Sequence, residues 1–204
     1  SVREIADDVL VVDSGSMDGT IDMARAAGAR VLHHRWTNYA DQFNWALAQI
    51  ADTGGWVMRL DADEVVTSQL RNQIKAGLPQ VAGITVGRSM CFHGVPVRYG
   101  GMFPIKVLRL FRNGAGMCEN LWMDEHIIVD GAITHLSVQI IDDNRKGMGW
   151  WTAKHNSYAS REVIDILNHE LHFLPQTRLR ANATGGQAAV KRWIKLKIYA
   201  RLPL

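Results

Sequence analysis

Apolar residues in the first third of the chain fall into short runs separated by amphipathic stretches. "VLVVD" (9–13) is a β-branched run ending in an acid and reads as a buried strand. A Gly- and Ser-containing turn follows, with Asp18 as the N-cap of a helix over "IDMARAAG" that Gly28 stops. "ARVLHH" predicts a second strand. In "NYADQFNWALAQIA", Ala40, Phe43, Ala46, Leu47 and Ile50 recur at helical spacing, which predicts an amphipathic helix. "WVMRL" (56–60) is a third strand, and a helix near "SQLRNQIKAGL" completes the series. This alternation predicts an α/β domain whose mainly parallel sheet is covered by helices on both faces.

The texture changes near residue 82. "GITVGRSMCFHG", "IKVLRLFRNG" and "AITHLSV" read as strands joined by Gly-containing turns, an antiparallel or mixed extension of the sheet. "GWWTAKHNSYASREVIDIL" (149–167) returns to helix, and "QAAVKRWIKLKIYARL" (187–202) is a basic amphipathic stretch that predicts a C-terminal helix.

Composition places these elements in a globular chain: 204 residues with 47% hydrophobic and 21% charged suffice for one sizeable core. The net charge of +3 is unevenly placed. Seven cations and no acid follow Glu170, leaving −4 on the first 170 residues. The expected division is therefore a domain over 1–170 and a basic segment over 171–204. That segment either lies in an anionic membrane interface through residues 187–204 or packs on an acidic partner or on the rest of a longer chain. There is no run of about 18 apolar residues, and "SVREIADD" carries no apolar leader. Cys91 and Cys118 are far apart and lack metal-ligand spacing. These features predict reduced thiols and a cytoplasmic place, peripheral on the inner face of the cell membrane if the basic segment binds lipid. An acidic larger part without a recognition motif excludes nucleic acid as partner.

Candidate chemistry concentrates in "RLDADEVV" (59–66), where Asp61, Asp63 and Glu64 fall at the end of a strand. A carboxylate leaving water costs several kcal/mol unless paired or neutralised. In an extended segment, Asp61 and Asp63 point to one side and Ala62 away from it. Oxygen ligands so spaced suit Mg²⁺ or Mn²⁺; the alternative is that these acids cap the next helix in solvent. Asp13 ends another strand, and ligands of such sheets bind beyond the carboxyl ends of their strands.

"VLVVDSGSMDGT", "YADQFNWAL" and "WVMRLDADE", in this order, resemble the donor-binding half of family 2 glycosyltransferases of GT-A fold. With "VLRLFRNG", "WMDEHI" and "ITHLS", the resemblance extends over roughly 1–170 and is nearest to the bacterial branch that builds lipopolysaccharide core and other surface polysaccharides. It implies an inverting transfer of a sugar, expected to be a hexosyl group, from a nucleotide-diphosphate sugar to a glycan or glycolipid acceptor, with Mg²⁺ or Mn²⁺ as cofactor. It assigns Asp13, the turn at position 15 (Gly15) and Asp61 to the nucleotide, and Asp63 with Asp61 to the metal. A late His of some relatives would put His135 on the metal too, against an ordinary strand residue. Glu125 matches the base, with Asp124 as the neighbouring choice, because "DE" departs from the commoner Glu-Asp order.

Lys106, Arg109 and Arg112 could offer charge to a diphosphate, but strand parity forbids that all three face one site. Lys154 and Tyr158 form an i,i+4 pair on the late helix. Trp122 is the candidate sugar platform, whereas Trp45, Trp56, Trp150 and Trp151 are expected in the core. The family's opening strand, with its Pro and Asn-Glu turn, is not represented, so the resemblance implies a fragment lacking one central strand and continuing past Leu204. Two rivals stand beside transfer: a sugar-nucleotide pyrophosphorylase, and a non-catalytic nucleotide- or membrane-binding scaffold. The missing G-x-G-x-x-G after the first visible strand argues against a dehydrogenase.

Overall fold

The computed structural model describes residues 1–51, 54–99, 105–123 and 125–173. Asp124 and the basic stretch at 187–202 lie outside them, as does nearly all of the predicted segment 171–204. The elements run β1 (Leu10–Asp13), α1 (Thr20–Ala26), β2 (Arg30–His33), α2 (Tyr39–Ala48), β3 (Trp56–Met58), β4 (Glu64–Val66), α3 (Ser68–Ala76) and β5 (Gly83–Phe92). They continue with β6 (Val95–Pro96), β7 (Ile105–Arg112), β8 (Gly116–Cys118), β9 (Ile127–Val129), β10 (Ile133–Asn144) and α4 (Met148–Leu171). The N-cap of α1 is Gly19 and not Asp18; the Asp18 carboxylate, one residue before it, instead accepts the Thr20 N–H (3.0 Å). Asn38 caps α2 through the Asp41 N–H, and Thr67 caps α3 through the Leu70 N–H.

β1 and β2 pair in parallel as a two-stranded ribbon. The main sheet has the order β3-β7-β5-β10-β4, with β6 beside β5. β5 and β10 are parallel neighbours, while β3–β7, β7–β5 and β10–β4 are antiparallel. β3, β5 and β10 therefore point the same way, and their carboxyl ends meet at one rim. β8 and β9 form a separate antiparallel hairpin.

Both faces of the main sheet are covered. On one, Val66, Leu70, Ile84, Val86, Leu110, Val138 and Ile140 form a cluster closed by Ile74 of α3 and by Val2 and Ile5 of the N-terminal turn. On the other, Val57, Leu108, Phe111, Ile127 and Val129 pack against Phe43 and Leu47 of α2. Strand parity breaks on β7, where Ile84 of β5 faces Leu110 but Thr85 faces Leu108. Arg109 is the extra residue of a bulge, which re-aims its side chain. Trp150 and Trp151 depart from expectation: they are 37% and 41% exposed, in the first turn of α4, where the residues around them are exposed as well.

Candidate active site

The segment behind β3 does not stay extended. A turn closed by the Glu64 N–H on the Asp61 carbonyl (2.9 Å) separates the three acids: Glu64 and Asp61 share Arg109, and Asp63 turns to Asn144. Glu64 turns inward. Its side chain is 1% exposed, paired with the buried Arg109 guanidinium, and its other oxygen accepts the Asp61 N–H (3.0 Å). Burial nevertheless outweighs Arg109 and pushes the Glu64 carboxyl above its ordinary range. Asp61 remains 42% exposed between two cations, Arg109 at 3.3 Å and Arg59 Nε at 3.5 Å. Asp63 accepts a hydrogen bond from the Asn144 amide (2.8 Å), and its carbonyl accepts the Asp143 N–H (2.9 Å). The end of β10 thus lies against the turn. Asp142 stands there as a further acid, its carboxyl raised first by burial and then by the charge of Asp63, with Asp61 adding and Arg88 opposing.

Arg59 ties this turn to the other predicted acid. Its Nη2 lies 3.4 Å from the Glu125 carboxylate, which is 13% exposed, while its Nε faces Asp61. Its guanidinium rests over the Phe43 ring at 5.3 Å. The loop before Glu125 is held from below by α4, where the Asp165 carboxylate accepts the N–H groups of Trp122 (3.1 Å) and Met123 (2.7 Å). Asn44 of α2 clamps Cys118 at the start of the same loop through both its N–H (2.8 Å) and its carbonyl (2.9 Å). The Cys118 thiol is buried beside Arg59 and its pKa is pushed up to about 12, chiefly by that burial, which disfavours the thiolate.

Asp13 organises its own turn. Its carboxylate accepts the N–H groups of Gly15 (2.7 Å) and Ser16 (3.0 Å), with hydrogen bonding from Ser16 the largest influence lowering its pKa. Gly15 has φ +107°, a conformation that costs a side-chain-bearing residue strain, so this tight turn suits glycine. Gln42 fastens the turn to α2 through Ser14 Oγ (2.9 Å) and the Val12 carbonyl (3.4 Å), with His34 on its carbonyl oxygen (3.0 Å).

Of the residues singled out from sequence, Asp61, Asp63 and Glu125 come together at one rim, and Asp13 with Gly15 stands across α2 from it. His135 does not join them. It sits at the opposite end of β10, seven residues from Asp142 and so about 20 Å along the strand, with its Nδ1 on Thr85 (3.1 Å). Lys106 is exposed, and Arg112 covers the Trp56 ring at 4.4 Å away from the rim. Sequence reasoning missed Arg59, Asn144, Asp142 and Asp165, whose partners lie 42 to 81 residues away in the chain except for Asp61 beside Arg59. The weak signal for Arg59 was a cation set immediately before acids at a strand end.

A family model described as glycosyl transferase family 2 matches residues 1–112. The chain is 32% identical over 165 residues to a TPR repeat-containing protein of Synechococcus elongatus, covering 78% of this chain and 38% of that one. It is 31% identical over 117 residues to the lipopolysaccharide core biosynthesis glycosyltransferase LpsC of Rhizobium meliloti, covering 53% of this chain and 43% of that one. It is 36% identical over 75 residues to an uncharacterized glycosyltransferase of Rickettsia typhi, with 37% and 25% covered. The chain thus spans from a quarter to somewhat over two-fifths of the length of these relatives.

Proposed function

The chain belongs to glycosyl transferase family 2, and from that membership we propose that it transfers a sugar, with inversion, from a nucleotide-diphosphate sugar to a glycan or glycolipid acceptor in bacterial surface-polysaccharide synthesis. The observation that carries the reading is the Arg59 bridge, which sets a donor-side acid, Asp61, and a base candidate, Glu125, on either side of one guanidinium. The similarity to LpsC supports the surface-polysaccharide setting.

In the proposed reaction the Glu125 carboxylate takes the proton of the acceptor hydroxyl as that oxygen bonds the anomeric carbon. The bond from this carbon to the β-phosphate oxygen breaks on the opposite face, and its electron pair leaves with the nucleoside diphosphate. Arg59 holds Glu125 in place, Asp165 fixes the loop that carries it, and the Asp13–Gly15 turn with Asp61 is assigned to the nucleotide.

Asp61 and Asp63 suit Mg²⁺ or Mn²⁺ in kind, because both offer carboxylate oxygens at a rim where burial first, and then the charge of Asp63, raises Asp142. Among the described residues no three His, Cys, Asp or Glu side chains are gathered to hold a metal. Diphosphate oxygens and water would complete the shell, as these ions accept. Bound there, the ion would neutralise charge on the departing diphosphate.

Thermal-shift titration with nucleoside diphosphates, with and without Mn²⁺, tests the reading. One diphosphate is expected to raise Tm by several degrees only with the ion, and Asp63→Ala to abolish that gain. An equal shift without Mn²⁺, or an unchanged one in Asp63→Ala, would remove the metal from the proposal. Pyrophosphate release from sugar phosphate and nucleoside triphosphate would favour the pyrophosphorylase instead.

A further inference from the structure

Lys154, Tyr158, Arg161 and Asp165 recur at i, i+4, i+7 and i+11 and form one stripe along α4. The stripe ends at the candidate site: Asp165 holds the backbone of Trp122 and Met123, and Tyr158 lies within the field of Glu125 and Asp63, whose charges add to burial in raising its phenol pKa. Opposite Arg161 stand Trp36 and Tyr39, from the loop entering α2 and its first residue. Their rings meet edge to face at 4.7 Å, and they are 38% and 37% exposed. The Arg161 guanidinium lies 5.9 Å from the Trp36 ring, 5.7 Å from Tyr39 and 5.9 Å from Tyr158. Lys154 Nζ lies 5.5 Å from the Tyr158 ring and 4.8 Å from Trp150.

Two features of this patch call for a ligand. Among the described residues neither Lys154 nor Arg161 makes an ion pair with a carboxylate, although the acidic rim is close by. Their charges lie against aromatic rings, Arg161 also hydrogen-bonds the Tyr39 side chain, and Lys154 faces Asp142 at longer range. A guanidinium carries five N–H donors and an ammonium three, however, so donors remain for an anion. The aromatic rings are half-exposed, a setting in which flat apolar faces pair with the C–H faces of sugar rings while the polar edges stay wet. Cations alone would suit any anion, and aromatic rings alone any sugar. Together they describe a sugar that bears a negative group.

We propose that the Trp36–Tyr39–Tyr158–Arg161 patch, with Lys154, is an acceptor subsite for an anionic glycan, a sugar unit carrying a carboxylate or phosphate that lies beside the residue to be glycosylated. The proposal rests on the transfer reading for the word acceptor, but the binding it requires is independent of turnover. Trp36 and Tyr39 receive a ring face, Arg161 and Lys154 receive the anionic group, and the chain then extends toward Glu125 past the loop that Asp165 holds. An acceptor hydroxyl reaches the base only when its neighbouring anionic unit is seated.

Titration calorimetry on the full chain with trigalacturonate, its neutral methyl ester and inorganic phosphate tests this. Trigalacturonate should bind, the ester should bind roughly tenfold or more weakly, and phosphate alone should not compete at equal concentration. Arg161→Gln, and separately the more peripheral Lys154→Gln, should each weaken trigalacturonate with Tm unchanged. Equal binding of acid and ester, equal binding of phosphate, or unchanged affinity in both variants would overturn the proposal, as would an effect of Arg161→Gln on nucleoside diphosphate binding alone. Replacing the uronate by a phosphorylated trisaccharide separates the two sources of the anion, and binding of either supports the subsite. Absence of any nucleoside diphosphate shift, with or without Mn²⁺, sinks the transfer reading without touching this one; absence of trigalacturonate binding does the reverse.

Discussion

Cys118 illustrates how one side chain reports on its surroundings. It is fully buried between Asn44, Arg59 and the loop toward Glu125, and its thiol is raised to about 12. At pH 8 about one thiol in ten thousand is ionised there, compared with about one in four at an ordinary cysteine. Because the folded pKa exceeds the unfolded one, the native state keeps a proton that the unfolded chain releases. Stability is therefore lost as pH rises above the ordinary cysteine range, from about 8.5 toward 12. Iodoacetamide at pH 8 should modify Cys91 and spare Cys118, as peptide mapping would read, and Cys118→Ala should flatten the alkaline decline in Tm. Rapid labelling of Cys118 in the folded chain would show the pocket to be open. The Glu64–Arg109 pair lies on the same side of the logic: both charges are buried, and neither would be tolerated there without the other.

At the level of elements, most of the helices and long strands were legible because their apolar residues repeat within ten positions. β1, α1, β2, α2, β3, α3, β5, β7 and α4 all appear within a few residues of where periodicity puts them. β4 was not legible. It has three residues, begins with Glu64, and becomes a strand only because β10 arrives 74 residues later to pair Val66 with Ile140. The far half of β10, past "AITHLSV", was not predicted, because Asp142 and Asp143 interrupt the apolar pattern there. The site followed the same rule: Asp61, Asp63 and Glu125 were visible as local motifs, but the partners that arrange them come from remote strands and from a bulge at Arg109. The β1–β2 ribbon makes its own prediction. Two strands alone are marginal in water, and this pair is held to the rest chiefly by α2 through Gln42. Amides of Leu10–Asp13 and Arg30–His33 should exchange with deuterium before those of Ile84–Val86 and Leu108–Leu110, at an opening free energy lower by about 2 kcal/mol or more. Equal protection would mean that ribbon and main sheet open as one unit.

For the whole molecule the decisive property is segregated charge. The first 170 residues carry −4 and the remainder +7. Within the described residues no helix is long and apolar enough to cross a membrane. The basic amphipathic stretch at 187–202 lies outside those residues, and its sequence fits an anionic lipid surface. The full chain should co-float with vesicles containing phosphatidylserine at low salt and detach as ionic strength approaches about 0.5 M, where screening shortens electrostatic reach to a few Å. Absence of flotation at low salt would leave an acidic protein partner as the reading of that stretch.

The Asp165 tether has one more consequence. On the proposed reading, donor-side groups come from residues 10 to 64, whereas the shelf that would choose what receives the sugar is borne by a single late helix apart from the rings of Trp36 and Tyr39. Inheritance can therefore treat the two preferences as separable cassettes. A lineage that exchanged this helix by recombination would acquire a new recipient in one event while still spending the same activated sugar.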